Sequence, residues 1–250
     1  MPEKLKLAAR GNVMKILAFD STAKVASVAV CDGEKLLCQY TVDNGLTQSE
    51  LLLPMAESAL RALRLSFDDI ELYAASVGPG SFTGVRIGTA LIKGLSFGKN
   101  IPCSEVSTLE ALAYNLDGIQ GIVVPVMDAR RGQVYTAVFK SDKNGIERIC
   151  DDCAISICAL AEILQAYKDT PIYLCGDGYE VAKQGLSALG VITENTPALL
   201  INENAASVAR VAYNKYKSGI FVDDKSVKPT YLRVPQAERE RLERIKNNEV

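Results

Sequence analysis

Near its start the chain reads Ile16-Leu17-Ala18-Phe19-Asp20, an apolar run that ends in an aspartate. Such a run followed by a polar turn is typical of a buried β-strand. Residues 26–30 and 36–42 are two further strand-like runs, and Cys31-Asp32-Gly33-Glu34 separates them as a hairpin turn. The segment therefore predicts a strand with an aspartate at its end, followed by a two-stranded hairpin.

The same order of features recurs in the second half of the chain. Residues 122–127 form an apolar run that ends in Asp128, residues 134–139 and 146–150 are strand-like, and Asp142-Lys143-Asn144-Gly145 is the turn between them. Helix-like segments follow each copy, at residues 50–63, 84–98, 159–167 and 179–189. Two copies of this order predict duplicated α/β lobes with mixed sheets flanked by helices. The alternative is a chance similarity between two unrelated α/β halves.

We therefore expect a first lobe over residues 14–105 and a second lobe over residues 106–235. Residues 1–13 precede the first strand-like run and are expected to form an N-terminal extension. Residues 236–250 interleave glutamate and arginine with few apolar residues, and are expected to form a charged tail.

The composition is that of an ordinary soluble protein. Of the 250 residues, 48% are hydrophobic and 23% are charged, and the formal net charge is −2. Because the chain lacks a broad basic field, it is not expected to hold nucleic acid tightly by itself. No apolar run approaches the ~20 residues that a membrane-spanning helix needs. Seven cysteines, an odd number, fit free thiols in a reducing cytosol, so we expect a cytoplasmic protein without membrane contact.

The most specific motif is Gly78-Pro79-Gly80-Ser81-Phe82-Thr83-Gly84-Val85-Arg86-Ile87-Gly88. It follows the apolar run 72–77 and leads into the apolar segment 87–97, which predicts a strand, a glycine-rich turn and the start of a helix. The backbone N–H groups of such a turn can receive an anion or a polar group of a partner. Its glycines allow another backbone to come close.

The sequence contains no histidine, the residue most often used for acid–base catalysis and metal binding. Without histidine a serine nucleophile such as Ser81 lacks its usual base, which argues against a peptidase, and the favoured role of Ser81 is to cap a helix. A zinc site would have to come from the four clustered cysteines, but the spacing of the second pair does not fit a zinc ribbon or finger. Those four are Cys150, Cys153, Cys158 and Cys175. We predict no catalytic and no metal-binding residues.

Duplicated lobes with aspartate-bearing turns are the plan of the actin-like, Hsp70-like and sugar-kinase ATPases (the ASKHA proteins), in which both turns face a nucleotide. The turns after Asp20 and Asp128 differ from the nucleotide-facing turns of those ATPases, because neither has a glycine beside the aspartate to let a phosphate approach the backbone. Gly176 and Gly178 follow the strand-like run 172–174 as a candidate adenosine-side loop. Asp20, Gly176 and Gly178 are therefore candidate nucleotide-binding residues, and an autonomous ATP-dependent phosphotransferase is the alternative function.

Taken together, four motifs resemble the TsaB (YeaZ) family. They are Lys15-Ile16-Leu17-Ala18-Phe19-Asp20-Ser21-Thr22, the glycine-rich turn 78–88, Asp128-Ala129-Arg130-Arg131-Gly132-Gln133-Val134-Tyr135, and Pro229-Thr230-Tyr231-Leu232-Arg233. The likeness spans residues 14–233. Gln48 departs from the pattern, since family members commonly have histidine there.

The resemblance implies a non-catalytic subunit of tRNA threonylcarbamoyladenosine biosynthesis. TsaB-type proteins are paralogues of the catalytic subunit TsaD, which holds a metal through a pair of histidines that this chain cannot supply. The resemblance implies a scaffold that pairs with a TsaD-type subunit, receives the ATPase TsaE on the pair, forms a homodimer when alone and touches tRNA only indirectly. It implies no cofactor held by this chain, and leaves open ATP or ADP at the partner interface.

Two helix-like segments are candidates for the partner interface. In residues 50–63 apolar side chains cover most of the circumference, more than one buried face needs. In the second segment Gly84 and Gly88 lie four residues apart, a spacing that lets another helix approach closely. The predicted interface residues are Leu52, Met55, Ala56, Ala59, Phe82, Gly84, Arg86 and Gly88. The alternative is that both helices are enclosed within one large domain.

Overall fold

The computed structural model describes residues 14–130 and 132–233. Its first sheet has the strand order β3-β2-β1-β4-β5. The strands are β1 (Lys15–Asp20), β2 (Ala26–Asp32), β3 (Lys35–Val42), β4 (Leu72–Ser76) and β5 (Cys103–Val106). Because β1 pairs antiparallel with β2 and parallel with β4, the sheet is mixed.

The second sheet repeats this arrangement with one strand fewer, in the order β8-β7-β6-β9. Its strands are β6 (Gly121–Asp128), β7 (Gln133–Asp142), β8 (Gly145–Ser156) and β9 (Ile172–Cys175). Here β6 pairs antiparallel with β7 and parallel with β9, as β1 does with β2 and β4. The predicted duplication of α/β lobes with mixed sheets is confirmed.

The described part of the chain also contains six α-helices: α1 (Gln48–Ala62), α2 (Phe82–Ser96), α3 (Thr108–Tyr114), α4 (Ile157–Leu164), α5 (Tyr179–Ala188) and α6 (Ala205–Lys217). Helices α1 and α2 cover one face of the first sheet, and α6 covers the other. Helices α4 and α5 cover one face of the second sheet, and α3 covers the other. Since α3 also contacts α6, these two helices form the layer between the sheets.

Burial on both faces explains why the central strands are continuously apolar. In β1, Leu17 and Phe19 pack toward α1 and α2, whereas Ile16 and Ala18 pack toward α6. A strand with only one covered face would alternate apolar with polar residues. The continuous apolar runs in the sequence therefore indicate a sheet that is covered by helices on both faces.

The chain does not divide between the lobes at a single point. The predicted second lobe over residues 106–235 includes α6, which packs on the first sheet, and Val222, which pairs with Cys103 of β5. The C-terminal part of the chain thus returns to the first lobe. The predicted extension over residues 1–13 and charged tail over residues 236–250 lie outside the described residues. Within the described part, no helix combines the length and apolar character needed to cross a membrane.

Candidate partner surface and buried carboxylates

The inward face of α1 is part of the first-lobe core. Leu52 is 1% exposed, Met55 is 9% exposed, and Ala56 and Ala59 are fully buried. All four pack with the apolar residues of the first sheet, among them Phe19. The expectation that these side chains form a docking surface is wrong, because the broad apolar face of α1 is taken up by the sheet and by neighbouring residues of α2.

The outward face of α1 carries different residues. Leu53 remains 38% exposed, and Glu57 and Arg61 are exposed beside it. In the sequence these three residues alternate with the residues that face the sheet, as expected for a helix with one buried side. Any partner of this helix must therefore contact these outward residues.

The glycines of α2 that we expected to receive another helix instead contact the turn after β1. A Cβ atom on Gly84 would overlap the carbonyl oxygen of Ser21, and one on Gly88 would lie 2.9 Å from the Oγ atom of Ser21. The Ser21 hydroxyl also donates a hydrogen bond to the Gly84 carbonyl oxygen at 2.8 Å. Gly84 and Gly88 therefore allow close packing within the lobe, and their assignment to an intermolecular interface is wrong.

The small residues on the exposed face of α2 are Ala90 and Gly94. Both are exposed, and a Cβ atom on Gly94 would meet no atom within 4 Å. At the end of the helix the Phe97 side chain is 74% exposed. We call the outward residues of α1 and α2 the docking face; they are Leu53, Glu57, Arg61, Arg86, Ala90, Gly94 and Phe97.

The glycine-rich turn before α2 is held by a C-terminal segment, residues 229–233, which we call the strap. Thr230 donates its backbone N–H to the Val77 carbonyl oxygen at 2.7 Å. Gly78 has φ +115° and a Cβ atom there would overlap the Thr230 carbonyl oxygen, so only glycine fits this position. Ser81 caps α2, because its Oγ accepts the Gly84 backbone N–H at 3.3 Å.

The strap also brings Tyr231 to the first turn of α2. The Arg86 guanidinium carbon lies 3.7 Å from the centre of the Phe82 ring, and Arg86 Nε donates to the Tyr231 hydroxyl at 2.8 Å. The rings of Phe82 and Tyr231 are 4.9 Å apart. These three residues form an aromatic clamp around Arg86. The sequence motif 229–233 drew attention to the segment, but nothing in it indicated that Tyr231 contacts Arg86.

Asp20 is the last residue of β1, and its side chain is buried. Its carboxylate accepts the Thr22 backbone N–H at 2.9 Å, the Thr22 hydroxyl at 2.7 Å and the Ser76 hydroxyl at 2.5 Å. Burial raises the pKa of Asp20, and these hydrogen bonds oppose that shift. The side chain thus fixes the end of β1 to β4 and to the following turn.

Further carboxylates lie around the turn after β6 and near Asp177. Asp128 is exposed and its backbone N–H donates to Asp177 Oδ1 at 3.1 Å. Glu203 is 2% exposed, and neither of its carboxylate oxygens has a hydrogen-bond partner of normal geometry among the described residues. Burial raises the pKa of Glu203 well above its usual range, and the charges of Asp20 and Asp177 raise it further. Sequence reasoning missed Glu203, because no local motif marks it.

The loop after β9 packs against β6. A Cβ atom on Gly176, which has φ +100°, would overlap the Val126 carbonyl oxygen. The Gly178 backbone N–H donates to the same oxygen at 3.0 Å. Close packing against β6 therefore explains why glycine occupies positions 176 and 178. The assignment of Asp20, Gly176 and Gly178 to a nucleotide site stays a prediction.

Gln48, the position that departs from the resembled pattern, has a structural role. Gln48 Nε2 donates to the Ala23 carbonyl oxygen at 2.8 Å and so supports the turn after β1. In the described part of the chain, no group of three or more histidine, cysteine, aspartate and glutamate side chains is arranged to hold a metal ion.

Comparison with known proteins identifies the family. The model of the family TsaD, described as tRNA N6-adenosine threonylcarbamoyltransferase, matches residues 47–241. The tRNA threonylcarbamoyladenosine biosynthesis protein TsaB of Bacillus subtilis (strain 168) is 30% identical over 231 residues, which cover 92% of this chain and 99% of that protein. The protein of the same name from Escherichia coli (strain K12) is 36% identical over 135 residues, 53% of this chain and 58% of that one.

A solved structure shows the same fold. YeaZ from Pseudomonas aeruginosa superposes with a TM-score of 0.72 at 21% identity, covering 88% of this chain and all of that one. With a TsaB relative matched over nearly its whole length and a TsaD-like domain across most of the sequence, the chain belongs to the TsaB family.

Proposed function

We propose that this chain is a non-catalytic scaffold subunit in the synthesis of threonylcarbamoyladenosine on tRNA, and that it acts by pairing with a TsaD-type catalytic subunit. One observation carries the proposal. The chain matches the model of a transferase over residues 47–241, and yet its sequence contains no histidine. A relative of an enzyme that lacks the usual acid–base and metal-binding side chain is better suited to support the enzyme than to replace it.

The docking face supports pairing with a subunit of similar fold. Helices α1 and α2 lie side by side on the first sheet, and they expose Leu53, Ala90, Gly94 and Phe97 between charged residues. Small residues on a helix let a second helix approach closely, and the larger apolar side chains add area that binding would remove from water. A specific complex buries about 1,200 Å² or more, an area that two helices from each partner can supply.

The same face is available to a second copy of this chain when the catalytic subunit is absent, so we expect a homodimer under those conditions. The ATPase TsaE is expected to dock on the assembled pair, with any ATP or ADP bound at an interface between subunits. With a net charge of −2, the scaffold would leave most tRNA contacts to its partner. We expect the complex to act in the cytoplasm.

Reconstitution tests the proposal. Purified chain, a TsaD-type subunit and a TsaE-type ATPase are combined with tRNA, ATP and a radiolabelled threonylcarbamoyl donor, and label in tRNA is counted. We expect no transfer by this chain alone, little by the TsaD-type subunit without it, and full transfer by the complete mixture. Transfer by the isolated chain, or full transfer in its absence, would refute the scaffold function.

Two matched variants locate the interface. Leu53→Asp places a charge on the docking face, whereas Leu189→Asp places one at the end of α5 in the second lobe, where Leu189 is 44% exposed. We expect Leu53→Asp to weaken binding of the TsaD-type subunit by at least about tenfold. Leu189→Asp should leave binding unchanged. If both variants bind as tightly as the original chain, the docking face is not the interface.

A further inference from the structure

The Arg86 guanidinium is held in one orientation before any partner binds. Phe82 lies one helical turn earlier and supports one face of the guanidinium at 3.7 Å. Tyr231 accepts the Nε hydrogen at 2.8 Å. An arginine fixed by both stacking and a hydrogen bond loses less side-chain entropy when it binds a ligand than a free one does.

Among the residues that the structure describes, no ion pair uses the outer N–H groups of Arg86. Arg148 and Arg210 each contact carboxylates within 4.0 Å, whereas the residues described by the structure provide no such carboxylate for Arg86. Tyr231 occupies the Nε donor, so within the described part of the chain the two terminal nitrogens form the edge of the guanidinium that is available to a ligand. That planar edge matches the two oxygens of a carboxylate in a bidentate pair.

The surroundings favour a protein carboxylate over an RNA phosphate. Tyrosine, phenylalanine and arginine are the residues enriched at the centres of protein interfaces, and Phe82, Arg86 and Tyr231 form one contiguous group. RNA binding draws mainly on several cations acting together, and this chain carries a net charge of −2.

We propose that Arg86, oriented by Phe82 and Tyr231, receives an aspartate or glutamate side chain of the catalytic subunit that binds the docking face. This inference rests on the proposed pairing with a TsaD-type subunit and adds the chemistry that the partner must present. Tyr231 acts through Arg86 as a positioning residue. Because the strap carries Tyr231, the clamp is tied to the glycine-rich turn and, through Arg233, to the second lobe.

Calorimetric titration of the TsaD-type subunit with this chain, in the absence of tRNA, tests the proposal. We expect Arg86→Gln to weaken binding tenfold to about a hundredfold, since it removes a charged bidentate pair. Arg86→Lys should restore only part of the affinity, because an ammonium group cannot form the planar pair. Tyr231→Phe, which removes only the hydroxyl, should weaken binding a few-fold.

The salt dependence provides a readout that a purely structural role would not change. Affinity of the original chain should fall as salt rises, and this dependence should be smaller in Arg86→Gln. Lys143→Gln removes one exposed positive charge from the β7–β8 turn and serves as the control with unchanged binding.

Three results would overturn the inference, and they can be told apart from failure of the proposed function. If Arg86→Gln binds the catalytic subunit normally but the assembled complex loses tRNA in a filter-binding assay, the clamp receives phosphate. If Arg86→Gln changes neither the binding of the catalytic subunit nor the retention of tRNA, the clamp only covers the start of α2. If Arg86→Lys binds as tightly as the original chain, no planar pair is formed. Failure of the original chain to bind the catalytic subunit at all would instead refute the scaffold function itself.

Discussion

Arg233 of the strap donates an Nη1 hydrogen bond to the carbonyl oxygen of Ala129, at 2.6 Å. Ala129 lies in the turn after β6, in the second lobe, whereas Thr230 of the same strap is bonded to Val77 of the first lobe. Five consecutive residues thus connect the aspartate-bearing turn of one lobe with the glycine-rich turn of the other. The strap, which also carries Tyr231 of the clamp, is therefore hydrogen-bonded to both lobes.

Arg233→Met should release the strap from the second lobe while keeping most of the side-chain volume. Loss of a charged hydrogen bond from a half-buried arginine should lower the free energy of unfolding by about 1–2 kcal/mol, measured in urea. Hydrogen exchange at the Thr230 amide, which bonds Val77, should become faster because the strap opens more often. An unchanged exchange rate would show that the Val77 bond holds the strap without Arg233.

Gly84→Ala and Gly94→Ala form a matched pair within α2. The added methyl group on Gly84 overlaps the Ser21 carbonyl oxygen, which is backbone and cannot move aside, so we expect a loss of about 3 kcal/mol or more. The same change at Gly94 meets open space and should stabilise the helix by about 0.5–1 kcal/mol. Urea denaturation of both variants measures the difference, and equal effects would contradict the close contact with Ser21.

Glu203 should make the fold less stable as pH rises. Its folded pKa is raised by burial first and then by Asp20 and Asp177, so the folded state binds the proton more tightly than the unfolded state, where the pKa is near 4.5. The stability that depends on this proton is complete below about pH 4.5 and is lost as pH increases toward and through the folded pKa.

Glu203→Gln keeps the shape and removes the titration. The unfolding free energy of the original chain should fall relative to this variant between pH 5 and pH 9, by at most about 1.4 kcal/mol per pH unit. Glu162→Gln, an exposed change on α4, is the control and should follow the original chain. A constant difference between the original chain and Glu203→Gln across this range would mean that Glu203 does not change its protonation on unfolding.

Asp20→Ala distinguishes the structural use of this aspartate from nucleotide binding. The change leaves the hydroxyls of Thr22 and Ser76 without their acceptor in a buried site, so unfolding should become easier by about 2–4 kcal/mol. Titration of the original chain with ATP and magnesium should give no binding heat. Micromolar ATP binding that Asp20→Ala abolishes would instead support the autonomous phosphotransferase.

Local patterns in the sequence predicted both sheets. The strand, aspartate and hairpin near Asp20 and again near Asp128 depend on apolar runs and turn residues that are neighbours in the chain. The same patterns located four of the six α-helices in residues 14–233. Helices α3 and α6 were missed. Helix α3 has only 7 residues, too few to show a clear helical period, and α6 packs on the first sheet although it follows the second sheet in the chain.

The site depended on the tertiary structure. The sequence identified the glycine-rich turn, the strap motif and the missing histidine, since these are properties of residue type and spacing. It did not show which side of α1 faces the sheet, because leucine and alanine covered most of that helix. Nor could it pair Arg86 with Tyr231, which lie 145 residues apart, or bring Glu203 beside Asp20. Those contacts exist only because the chain returns to the first lobe after completing the second, and no local pattern records that path.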